Sequence, residues 1–147
     1  MRTKIEIMDE TWEIDTDNLR FSDATLNQFF ERVSGIIDYV GAGHAKAMFW
    51  ASKLDHEFKQ KFIEKFKDFK NEGKSDKNAE LCAEGEAEVS TLKEQYLQAK
   101  YIKDRLYAHL NALNNAREDA HNRGHMLRKE LDKLNMEIRS HQTNYGD

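Results

Sequence analysis

A mainly α protein is predicted here: a long, coiled-coil-like antiparallel helical hairpin behind a short N-terminal β segment, assembling into a homo-oligomer. Three features carry that reading. The 147 residues contain no proline, and proline is what most often breaks a long helix, by removing an amide donor and clashing with the preceding turn. Apolar residues recur three, four or seven apart over two long stretches, as helical faces require. Strict alternation is confined to the first fifteen residues. The chain is read as one domain, 1–147.

Within residues 1–21, Ile5 and Ile7 fall on one side, then Trp12 and Ile14, with Met8-Asp9-Glu10 between them. Period-two spacing of β-branched and aromatic residues predicts two short strands, paired as a hairpin. A lone hairpin is marginal in water, so it must pack on helices or on another subunit.

The first helical arm spans 22–72. Ser22 suits an N-cap with Asp23 behind it in the first turn, and Leu26, Phe29, Phe30, Val33, Ile36, Ile37 and Val40 set the helical period. Gly41-Ala42-Gly43 costs roughly 2 kcal/mol of helix propensity, which favours a kink or short break at 41–43, with one continuous helix over 22–72 as the alternative. The period resumes at Ala47 and runs through Leu54, Phe58, Phe62, Phe66 and Phe69 to Asn71-Glu72-Gly73-Lys74-Ser75, where Gly73 suits a left-handed cap. A second helix is predicted over 76–141, and 142–147 form a polar tail. Its apolar positions run from Val89 through Leu106, Leu110, Leu113, Leu127, Leu131 and Leu134 to Ile138, a coiled-coil-like seam some 90 Å long if unbroken. Two helices leave part of such a seam uncovered, so self-association is expected through Leu106, Leu110, Leu113, Leu127, Leu131 and Leu134.

Composition narrows the function. The longest strictly apolar run, Ala47 to Ala51, is too short for a membrane span, so no membrane partner is expected. Met1 to Glu10 lacks an apolar signal region, and Cys82 is the single cysteine; both fit a cytoplasmic protein. Charge is partitioned: residues 1–43 carry 4 basic and 9 acidic side chains (net −5), 44–78 carry 9 and 6 (net +3), and 79–147 carry 10 and 12 (net −2). A basic patch, if present, lies in the middle third.

On a helical wheel Phe58, Phe62, Phe66 and Phe69 form one stripe, read as core. Lys59, Lys67 and Lys70 share another face, and Glu57, Glu64 and Asp68 a third. Lys67, Lys70 and Lys74 have no acidic neighbour four residues away, which leaves their charge available to phosphate. An ordinary solvated lysine face has the same pattern. Glu118, His121 and His125 have a spacing that could hold a metal, but no second copy of the motif exists, so surface histidines are expected and no metal. Cys82, between Glu80 and Glu84, is a poor nucleophile because those charges oppose a thiolate. No phosphate-cradling loop or nucleophile elbow is present. Neither an enzyme nor a cofactor is expected.

Three segments, in order, resemble the UvsY-type recombination mediators of tailed phages. Trp12-Glu13-Ile14-Asp15-Thr16-Asp17-Asn18-Leu19-Arg20-Phe21 is similar to that family's opening segment. Lys65-Phe66-Lys67-Asp68-Phe69-Lys70-Asn71-Glu72-Gly73-Lys74 is similar to its basic, aromatic stretch. The run from Leu97 through Lys100, Leu106 and Leu110 to Asn122-Arg123-Gly124 is similar to its last helix. The resemblance spans about residues 12–130. It implies a non-enzymatic, ring-forming accessory of DNA recombination, repair and replication, located in the host cytoplasm if phage-encoded. Such a protein binds single-stranded DNA and helps a RecA-like recombinase displace single-strand-binding protein. Lys65 and Lys67 match the family's DNA-contacting basic positions, and Arg123 matches a motif without an assigned role. Phe66 and Phe69 depart from the tyrosines common there, and the helix past Leu131 is longer. With the lysine face, the candidate DNA-binding set is Lys59, Lys65, Lys67, Lys70, Lys74 and Arg123. The competing expectation is a coiled-coil phage structural or host-takeover adaptor that binds protein and not DNA.

Overall fold

The computed structural model describes residues 2–15 and 21–144. Two strands, β1 (Arg2–Ile7) and β2 (Glu10–Asp15), form an antiparallel hairpin with Ile5 opposite Trp12 and Thr3 opposite Ile14. Met8 turns the chain at φ 55°. Thr3, Ile5, Ile7 and Ile14 are buried, so the alternation in the sequence becomes one apolar face laid on the helices. Residues 16–20, within the first of the three resemblance segments, lie outside the described residues.

A single 3-10 turn, Asp23–Thr25, leads into α1 (Leu26–Asn71). The Ser22 amide donates to the Thr25 hydroxyl at 2.9 Å and so fixes the entry. Helix α1 then runs unbroken through Gly41-Ala42-Gly43, the continuous alternative to the short break that the two glycines favoured. Gly43 explains this. It stands in the buried register Leu26, Phe29, Val33, Val40, Gly43, Ala47, and Trp12 packs so closely on it that a Cβ there would sit 3.0 Å from the indole. The local loss of propensity is outweighed by docking of the hairpin. Tyr39 completes the joint: its ring lies 4.8 Å from Trp12 and its hydroxyl accepts the Glu13 amide at 3.2 Å. Lys46 pairs with Glu10 nearby.

The chain reverses at Gly73, φ 90°, whose amide returns to the Lys70 carbonyl at 3.0 Å. Ser75 caps the next helix, its hydroxyl accepting from the Asn78 amide at 3.3 Å. The second arm is two helices, α2 (Asp76–Gly85) and α3 (Ala87–Asn144), where the sequence predicted one. The register supplies the reason. Carried backwards from Val89, the α3 seam would turn Gly85 and Cys82 inward, whereas α2 buries Ala79 and Ala83. An extended Glu86 (ψ 134°) resets the helical phase by one residue. Helix α3 continues to Asn144, three residues past its predicted end.

Asp23 meets Arg123 and Lys61 meets Glu88, so α1 and α3 run antiparallel. The main core joins the hairpin (Ile5, Ile7, Ile14) to α1 (Phe29, Val33, Val40, Ala47) and α3 (Leu106, Leu113, Ala120). A smaller cluster, Ala51, Leu54 and Ala99, continues it towards the loop. Helix α3 is about 87 Å long and α1 about 69 Å. With the loop holding the arms together at one end, α3 overhangs at the other, and every residue from Arg128 to Asn144 is exposed. No helix among the described residues is long and apolar enough to cross a membrane.

Candidate nucleic-acid interface

The last four turns of α1 bring the predicted lysines to the loop end of the hairpin, and they fall into two groups. Some already have partners. Lys59 donates to Asp55 at 2.8 Å, which raises its affinity for a proton, and Lys70 reaches across the loop to Asp76 at 2.7 Å. Lys61, outside the predicted set, pairs with Glu88 at 2.8 Å. The hydrogen bond from Lys61 and the charges of Lys61 and Lys65 hold the Glu88 carboxyl below its ordinary range. Lys74 lies 4.6 Å over the Phe69 ring, with its ammonium 3.2 Å from the Cys82 sulfur.

Others are available. Lys67 is exposed and makes no ion pair among the described residues, and Lys65 is half-buried with only the longer-range field of Glu88. The pairs on Lys59 and Lys70 are solvent-exposed, a class worth little because water and salt screen them. Phosphate can displace such partners without leaving a buried charge behind.

Arg123 does not join this group. It donates to both carboxylate oxygens of Asp23 at 2.9 Å, and along α1 that places it about 65 Å from Lys67. Within one chain it is a clasp between α3 and the start of α1. The predicted interface leucines also divide. Leu106 and Leu113 are 0% exposed against α1 and the hairpin and cannot face another subunit, whereas Leu131 and Leu134 are 58% and 52% exposed. Leu110 and Leu127 are half-buried at the edge of the core.

The phenylalanine stripe is half-buried rather than core. Helix α2, packed opposite this stretch, buries only two alanines, too small to cover four rings. Phe58, Phe62 and Phe66 follow one another at ring separations of 6.5 and 6.3 Å. Beside them Lys93 of α3 shares a groove with Lys59. Sequence reasoning missed Lys93, because only the pairing of α1 with α3 brings it there.

His121 and His125 approach with ring nitrogens 3.1 Å apart. The described residues gather no set of three side chains able to hold a metal. No protein-family model, curated protein or solved structure matches the chain.

Proposed function

We propose that this protein is a single-stranded-DNA-binding recombination mediator, acting as a homo-oligomer to help a RecA-like recombinase onto DNA covered by single-strand-binding protein. The observation that carries this reading is the lysine face at the loop end of α1. Lys67 is unpaired, Lys65 is nearly so, and the ion pairs on Lys59 and Lys70 are exposed and exchangeable. The ordered resemblance to UvsY-type mediators supports it, since two of its three segments supply Lys65 and Lys67 and the seam of α3.

Assembly follows from the overhang. Leu127, at the edge of the core, opens a 3-4 run through Leu131, Leu134 and Ile138 that carries the seven-residue spacing of the buried positions Leu106, Leu113 and Ala120 beyond the reach of α1. An isolated helical stretch of this length is marginal in water, and a second copy supplies the missing partner as a coiled coil. One subunit offers a few phosphate contacts. Several copies on one strand raise avidity by ~10²–10⁴.

Fluorescence anisotropy on oligo-dT at graded salt tests the reading. Binding is expected to weaken with salt, each phosphate contact adding about −0.7 to the log–log slope. Lys65→Ala with Lys67→Ala should flatten that slope at unchanged helicity. Absence of binding at low salt would favour the second reading, a protein-binding coiled-coil adaptor. That reading draws on the ion pairs already occupying Lys59, Lys61 and Lys70.

A further inference from the structure

Where α1 passes the start of α3, the surface opens into a groove of about 630 Å³. Its apolar lining is Phe58, Phe62, Ile63 and Val89. Lys59 stands on one rim and Lys93 on the other, with Glu84 the single acid lining it. At 100° per residue, Lys59 and Ile63 fall between the phenylalanine stripe and Lys67. The groove and the lysine face are therefore one continuous surface, apolar within and cationic along the edge. Lys93 makes no ion pair among the described residues.

We propose that this groove seats an unstacked base of single-stranded nucleic acid, with Phe62 as its stacking partner and the flanking phosphates on Lys59 and Lys93. This rests on the function proposed above and adds a second mode of contact to it. Charge complementarity selects the occupant, because a purely apolar peptide would leave Lys93 without a partner, whereas a phosphate can pair with Lys93 and exchange for Asp55 on the exposed Lys59. Phe62 is half-buried between its neighbours, so part of the ring stays open to a ligand, which a core phenylalanine does not allow. Phenylalanine has no polar atom to read a base edge, so every base is accepted. Stacking then supplies affinity that salt does not screen.

The test compares dT20 with an abasic strand of the same length, which keeps the phosphates and removes the bases. Stacking one base is worth ~1–3 kcal/mol, and the parent protein should prefer dT20 by roughly 5–150-fold. Phe62→Leu, checked for helicity, should bring that ratio near one and leave the abasic affinity unchanged. Photocrosslinking of 5-iodouracil oligonucleotides to the parent protein needs no variant, and the adduct should map to Phe58 or Phe62. Equal binding of the two strands by the parent would overturn the groove assignment and leave the phosphate-binding reading intact. A preference that survives in folded Phe62→Leu, or crosslinks found only elsewhere, would overturn it too. If neither strand binds, the proposed function fails and this inference with it.

Discussion

Trp12 rests on the bare backbone of Gly43: a Cβ at residue 43 would stand 3.0 Å from Cε3 and 3.3 Å from Cδ2 of the indole. Gly41, two residues earlier, has nothing within 4 Å of its notional Cβ. The two glycines therefore differ in kind. Gly41→Ala should stabilise the protein by about 0.5–1 kcal/mol through helix propensity. Gly43→Leu should cost about 1–3 kcal/mol by overpacking. Urea unfolding at fixed protein concentration separates them, and equal effects would mean that the hairpin is not docked through Trp12.

Asp23 and Arg123 make a pH-dependent clasp. The guanidinium, by hydrogen bonds and charge, holds the Asp23 carboxyl below the ordinary 3.8. A depressed carboxylate contributes stability above its unfolded value and loses it as pH falls through the folded value. Between pH 5 and pH 3 the parent Tm should fall more steeply than that of Asp23→Asn. Parallel curves would remove the clasp from the stability of the fold.

The reversal rests on two residues. Gly73→Ala places a side chain at φ 90° and should cost about 1–2 kcal/mol, while Ser75→Ala removes the cap on α2 and should cost about 1 kcal/mol. Thermal melts of both variants check this. A neutral Gly73→Ala would mean that the loop takes another conformation.

Leu131→Asp with Leu134→Asp should release a folded 17.3 kDa monomer, because these side chains touch nothing in their own chain that the fold needs. Leu106→Asp should unfold the protein instead, through an uncompensated charge in the core. Light scattering beside circular dichroism distinguishes the two. A parent already at 17.3 kDa would end the assembly argument.

The strands, the two-arm organisation and the left-handed Gly73 were legible in the sequence, because alternation, 3-4 spacing and a glycine between helical runs are local signals. The continuity of α1 through Gly41-Ala42-Gly43 was left open there. It depends on Trp12, thirty-one residues away, filling the space that Gly43 leaves. The break at Gly85–Glu86 was obscured because each side is a good helix and only their phases disagree. Leu106 and Leu131 occupy equivalent positions of one pattern, and what parts them is arm length. The predicted bounds, 22–72 against 76–141, already held a fifteen-residue excess that would have told them apart. Lysine pairing was legible only within a helix: Lys59 with Asp55 could be read at i, i+4, but Lys70 with Asp76 and Arg123 with Asp23 required the closed hairpin.

Antiparallel arms joined at Gly73 also dictate an order of assembly in time. Lys70 and Asp76, six residues apart, meet across a short loop, whereas Asp23 and Arg123 close one of a hundred residues. Closure entropy rises with loop length, so pairing is expected to begin at the turn and to zip outward along Leu54, Ala47 and Val40. The β-hairpin, seated on Gly43 in the half of α1 away from the turn, arrives last and latches a zipper that otherwise frays from its open side. Amide exchange should therefore be slowest along the inner seam of α1 and α3 and fastest beyond Arg128, and loss of the Trp12 contact should loosen the open end before it disturbs the turn.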